Sequence, residues 1–204
     1  MFTKKASITV PSSMDEITLG RYQQFIKETD VENPTEELVA NKIIEVFCNI
    51  PKSESYKMKV SSLFNISNKI AEVLNQKPSL ITKFKMGDTT FGFIPKLDDM
   101  TMGEYVDLDS FITDWSTMHQ AMAVLYRPIK QMRKGKYVIH DYDGDTFHEA
   151  MKDMPLSVAM SSMLFFYRLE NDLLKSMTDF SEVESQKKLA TLEDVGVGIN
   201  HSTN

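Results

Sequence analysis

Apolar positions recur at helical spacing through most of the chain and switch to alternation in a few short stretches. Leu19, Tyr22, Phe25 and Ile26 fall on one face of a helix that begins near Thr18, with Arg21, Gln24 and Lys27 opposite. The pattern stops before Asn33-Pro34. Asn33 is then placed to cap a second helix, with Pro34 at its first position and Glu36 three residues on. Leu38, Val39, Ile43, Val46 and Phe47 give that helix its apolar face, and Asn49-Ile50-Pro51 ends it. A third helical region covers Tyr56 to Leu74, with a break expected near Ser61-Ser62.

The texture then changes to β-prone. Leu80 to Met86 and Thr89 to Ile94 flank Gly87-Asp88, a Gly-first two-residue connection that signals a hairpin. Thr101 followed by Glu104 reads as a capping box for a helix through Tyr105, Leu108 and Phe111. A further helix is expected from Asp114 to Leu125, and Pro128 cannot continue it. Ile129 to Met132 and Lys136 to Tyr142 flank Lys134-Gly135 as a second hairpin. Thr146 and Glu149 suggest another capping box, and Pro155 opens a last long helix through Val158, Ala159, Met163, Phe166, Leu169 and Leu173. Ser7 to Val10 reads as extended, and beyond Met177 apolar content falls.

The fold class that follows is mainly α with two small β-hairpins (α+β), a compact helical domain with a disordered C-terminal tail. The expected layout is one domain over 1–177, divisible into lobes 1–95 and 96–177, and a flexible tail over 178–204.

Composition narrows function mainly by exclusion. The net charge of −6 disfavours duplex nucleic acid and anionic membrane surfaces as main partners. The start of the chain lacks the apolar run of a secretory signal, and no stretch approaches a membrane span. The single cysteine, Cys48, lies in an apolar run and reads as a buried small hydrophobe. An absence of disulfides fits a reducing compartment.

Candidate chemistry is sparse. Asp141, Asp143 and Asp145 alternate as the ligands of a hard cation can. The sixth and twelfth positions from Asp141 are Thr146 and Lys152, where an EF-hand needs Gly and Glu, so a solvated turn before a helix is the simpler reading. His140 and His148 flank this string without a helical metal-ligand spacing. His119, beside Met118 and Met122, reads as a packed histidine. Lys130, Arg133, Lys134 and Lys136 read as a solvated hairpin tip. The glycines form neither GxGxxG nor a P-loop, and GxSxG is absent. Catalytic residues, cofactors and metal ligands are therefore not expected.

Methionine is the most informative residue type. The chain has 14, and Met151, Met154, Met160 and Met163 crowd towards Phe165-Phe166-Tyr167. Methionine fills irregular core gaps and also builds adaptable binding surfaces. Met160, Met163, Phe166 and Leu169, extended by Leu173, are the candidate partner-binding stripe.

Four strings carry a family resemblance: Ile17-Thr18-Leu19-Gly20-Arg21-Tyr22-Gln23-Gln24-Phe25; Phe91-Gly92-Phe93-Ile94-Pro95 with Met102-Gly103-Glu104-Tyr105-Val106-Asp107-Leu108-Asp109; Met122-Ala123-Val124-Leu125-Tyr126-Arg127-Pro128-Ile129; and Tyr137-Val138-Ile139 with Tyr142-Asp143-Gly144. Over roughly residues 8 to 175 the chain resembles poorly characterised morphogenesis proteins of tailed bacteriophages, and in its order of elements it is similar to phage tail assembly chaperones. The resemblance implies a non-enzymatic protein of the host cytoplasm. It would bind phage tail or other virion proteins and cover apolar helical segments of a tape-measure protein until tail-tube subunits replace it. It implies no catalytic residues. A structural virion subunit of the neck, tail or baseplate is the first alternative, and a metal-binding module or enzyme centred on the 141–145 loop the second. Whether the chain forms homo-oligomers is left open.

Overall fold

Thr18 opens the first helix. Its hydroxyl oxygen accepts the amide of Arg21 at 3.3 Å, satisfying one of the donors that a first turn leaves without an intrahelical partner. In the computed structural model, which describes residues 9–144, 146–169, 171–172 and 175, α1 runs over Leu19–Thr29. The second helix starts later than its sequence signals suggest. Asn33 adopts a left-handed backbone, φ 57°, whereas an N-cap is extended. Thr35 caps instead, accepting from the Leu38 amide at 3.2 Å, and α2 spans Glu36–Phe47.

The third helical region is broken, but not at Ser61-Ser62. A short α3, Lys52–Ser55, precedes α4, Val60–Leu74, and the interruption falls at 56–59. Ser61 and Ser62 lie in the first turn of α4, where serine is better tolerated than in a helix interior.

The expected hairpins form and then join. β1, Lys83–Met86, and β2, Thr89–Phe93, turn at Gly87 with φ +57°. β3, Tyr126–Arg133, and β4, Lys136–Ile139, turn at Lys134-Gly135, both at positive φ, as a tight right-twisted hairpin requires. β2 pairs antiparallel with β3 through Phe91–Pro128, Gly92–Arg127 and Phe93–Tyr126. Among the described residues the strands thus make one sheet in the order β1-β2-β3-β4. That sheet spans the expected lobe boundary at 95/96.

α5, Met102–Phe111, has the full capping box of Thr101 and Glu104. α6, Met118–Leu125, passes straight into β3 without a loop. The box expected from Thr146 and Glu149 does not form. Thr146 donates to Asp143 instead, and Glu149–Asp153 is a 3-10 turn without a side-chain cap. A last helix, α7, occupies 156–169. Its start is tied to the start of α1: the Leu19 amide donates to the Met154 carbonyl at 2.9 Å and the Leu156 amide to that of Ile17 at 2.8 Å.

The core collects Leu19, Ile44, Phe47, Ile70, Leu125 and Leu156 with Met14, Met118, Met122, Met151 and Met154, all essentially without solvent contact. Unbranched methionine suits the irregular space between helices and a small twisted sheet. The chain divides into two units, 1–162 and 163–204. The expected tail over 178–204, and Leu173, lie outside the described residues.

Candidate partner-binding surfaces

The four residues of the candidate stripe lie on α7 but not on one straight line. Steps of three residues at about 100° each fall some 60° short of a full turn, so Met160, Met163, Phe166 and Leu169 wind around the helix. Met160, in the first unit, is half-buried, and it follows Leu156, Val158 and Ala159, which are fully inside. In the second unit Met163 and Phe166 are half-buried, Tyr167 is 65% exposed and Leu169 39%. Phe165 and Phe166 meet edge-on with ring centroids 5.3 Å apart. α7 thus changes along its length from core to partly open. Apolar pattern alone separates these segments poorly, because Val158-Ala159-Met160 and Met163-Leu164-Phe165 read alike.

A second apolar surface was not expected. The sequence places Tyr105, Leu108 and Phe111 along one capped helix without assigning its faces. In the structure Glu104 and Leu108 are the buried positions of α5, while Met102, Tyr105 and Val106 stand 74%, 57% and 46% exposed. Met102, Tyr105, Val106 and Asp109 share the outward face by helical spacing. The signal lay in the 102, 105, 106 spacing, which competes with 105, 108, 111 for the same inward role.

In this orientation α5 makes a buried ion pair. Arg127 of β3 reaches Glu104 at 2.5 Å, both side chains over nine-tenths buried. Glu104 also accepts from the Thr101 amide at 2.6 Å and the Thr101 hydroxyl at 2.8 Å. Burial pushes the Glu104 carboxyl up, but the two Thr101 hydrogen bonds and the guanidinium outweigh it and hold the group below the usual glutamate range. The Arg127 guanidinium lies 6.0 Å from the Tyr142 ring centre, and its Nε is buried without a hydrogen-bond partner. The Tyr142 hydroxyl donates to Asp107 on α5 at 2.8 Å, so burial and the Asp107 carboxylate push the phenol far up. At the N-terminal end of α5 a cavity of about 320 Å³ is walled by Pro95, Met100, Glu104, Arg127, Tyr137 and Val138, among others.

The other sequence candidates have local partners. Asp141 is ion-paired with Lys130 at 2.8 Å. Asp143 accepts from Thr146, and Asp145 lies outside the described residues. Among the described residues no group of three or more His, Cys, Asp or Glu could hold a metal ion. His140 is exposed, and His148 packs edge-on against Phe111. His119 is buried, with Gln23 Nε2 3.0 Å from Nδ1 and Glu149 3.6 Å from Nε2. Arg133, Lys134 and Lys136 are solvated at the β3–β4 tip. Cys48 is buried, which raises its thiol pKa and makes it a poor nucleophile. A wider depression of about 750 Å³ along α1 has a mixed lining that includes Gln23, Lys27, Glu28, Asp114 and Lys152. No described helix is long and apolar enough to cross a membrane. Compared with family models, curated proteins and solved structures, the chain gives no match.

Proposed function

We propose that the chain is a non-enzymatic bacteriophage morphogenesis protein, a tail assembly chaperone that binds tape-measure or other tail proteins in the host cytoplasm. The resemblance carried by Ile17 to Phe25, Phe91 to Pro95, Met102 to Asp109 and Met122 to Ile129 supplies the identity of the partners. The observation that carries the reading as an interaction protein is the stretch of α7 beyond residue 162. There Met163 and Phe166 are half-open, and Tyr167 and Leu169 are exposed. Large flexible and aromatic side chains at a partly open helix surface suit the covering of apolar helical segments of varied sequence.

Quantitative mass spectrometry of purified particles beside infected-cell lysate tests the reading. A chaperone is abundant in lysate and missing from particles. Fixed stoichiometry in particles would make the chain a virion subunit and overturn the chaperone assignment.

A further inference from the structure

We infer that the outward face of α5 is a second docking surface, and that its occupant is an amphipathic protein helix carrying Lys or Arg beside its apolar positions. The inference rests on the reading of the chain as an interaction protein, but not on α7 or on the phage assignment.

Three observations converge on it. The first is that α5 is apolar on both sides. Leu108 is buried, yet Met102, Tyr105 and Val106 are exposed together on the opposite face. A helix of this kind is central to a fold or shared with a partner, and among the described residues the fold covers one side only. The second is the cavity of about 320 Å³ at the helix start, where Met100 and Val138 are among the walls and Val138 is itself 57% exposed. A pocket beside a flat apolar ridge is what a large anchoring side chain fills at an interface.

The third is charge, and it selects the occupant. From Leu97 to Asp114 the chain carries Asp98, Asp99, Glu104, Asp107, Asp109 and Asp114 and no Lys, Arg or His. Glu104 is neutralised by Arg127, and Asp107 accepts from Tyr142. Asp98, just before α5, and Asp109, on its outward face, are exposed, while Asp99 is ion-paired with Lys96 at 3.2 Å and both residues also line the cavity. With Lys96 paired to Asp99, and Lys136 exposed beyond Val138 on β4, the balance along 97–114 stays acidic, and such a surface attracts a basic amphipathic segment and repels an acidic one. It also disfavours a second copy of this chain, because a two-fold contact through α5 would bring the same acidic segment of both copies into one interface.

Two synthetic amphipathic helices provide the test. They share the same Leu and Met positions and differ only in polar positions, Lys and Arg in one and Glu in the other. Binding to the full chain is followed by fluorescence anisotropy at two salt concentrations. The basic helix should bind at least about tenfold more tightly than the acidic one, with the difference shrinking at high salt. Met102→Asp with Val106→Asp should remove binding while the circular dichroism spectrum is kept, and Asp98→Lys with Asp99→Lys should weaken the basic helix selectively. Met163→Asp with Phe166→Asp should leave this binding intact, which separates the face from α7. Equal binding of both helices, binding of neither, or unchanged binding by the α5 variants would overturn the inference. So would sedimentation showing a dimer that the Met102 and Val106 substitutions dissociate, since the face would then belong to a second copy.

Discussion

Replacing Arg127 by Met should be among the most damaging single changes in the first unit. The guanidinium meets Glu104 at 2.5 Å with both side chains almost wholly buried, so its removal leaves a carboxylate inside the protein supported by Thr101 alone. Breaking a buried pair from one side costs about 3–5 kcal/mol. That is a large fraction of the roughly 5–15 kcal/mol that holds a domain folded. At about 2–4 °C per kcal/mol for a domain of this size, the melting midpoint should fall by roughly 6–20 °C. Glu104→Gln keeps an acceptor for Thr101 and should cost less, about 1.5–3 kcal/mol. The double variant Glu104→Leu with Arg127→Met should recover much of the loss. It removes both charges together, along with the buried Nε that has no hydrogen-bond partner. Because Glu104 is held below its ordinary value, the pair's contribution is present above the usual glutamate range. It is lost as pH falls below about 4.5 towards the depressed folded value. Urea unfolding followed by the single tryptophan, Trp115, which packs edge-on against Tyr22 in the first unit, reads all of this. An Arg127→Met midpoint corresponding to less than about 1 kcal/mol, or a double variant equal to the sum of the singles, would refute a coupled buried pair.

Other perturbations follow from single contacts. His119 is held below the ordinary histidine value, chiefly by burial and then by Lys152. The unfolded chain therefore binds more protons below about pH 6.5, stability should fall on acidification from there, and His119→Gln should flatten that slope in urea titrations at stepped pH. Tyr126 is fully buried, its hydroxyl 2.7 Å from both the Ile81 carbonyl and Ser162 Oγ, and burial pushes the phenol up to about 12. Tyr126→Phe should cost about 1–2 kcal/mol in urea unfolding, and absorbance titration of Tyr126 should show ionisation only near or above that pH. Gly92 has no room for a Cβ, which would lie 2.5 Å from the Tyr137 ring. That ring is tethered by its hydroxyl to the Phe93 carbonyl at 2.8 Å. Gly92→Ala should cost about 1–3 kcal/mol through overpacking, and Tyr137→Ala in the same chain should remove most of the added penalty.

The elements most legible in the sequence were those announced by local chemistry. Thr18, the Thr101–Glu104 box, Gly87 and Lys134-Gly135 act within four residues of themselves, so their consequences can be read without knowing the fold. Misreadings arose where two local options competed or where a distant partner decided. Asn33 and Thr35 both carry cap chemistry, and the left-handed backbone at Asn33 gave the cap to Thr35. Pro128 marks the end of α6 near Leu125, but nothing local marks the start of β3 at Tyr126 rather than Ile129. The strand starts at Tyr126 because β2 is there to pair with it. Nothing in the sequence around Arg127 and Pro128 marks the arginine as buried. Its role as the buried partner of Glu104 needs α5 and β3 brought together, a contact 23 positions apart in sequence (127 − 104).

That contact also bears on which way α5 faces. The helix has apolar residues on both sides, and a half-turn would exchange Leu108 for Met102, Tyr105 and Val106 at modest hydrophobic cost. Apolar packing alone therefore distinguishes the two orientations poorly. The half-turn would, however, carry the Glu104 carboxylate away from Arg127 and Asp107 away from Tyr142, leaving an unpaired guanidinium inside. A polar contact that fits in one orientation only is the device that specifies register where apolar surfaces are interchangeable. The Glu104→Leu, Arg127→Met chain should then keep much of its stability while losing its single orientation. With Val106→Cys as a probe, and Cys48 buried and slow to react, thiol labelling at position 106 should be fast and uniform in the otherwise unaltered chain. In the chain without the ion pair it should become slower or biphasic, with unchanged far-ultraviolet circular dichroism. Equally fast, single-phase labelling in both chains would mean that packing orients α5 without the ion pair, and that Glu104 and Arg127 contribute stability alone.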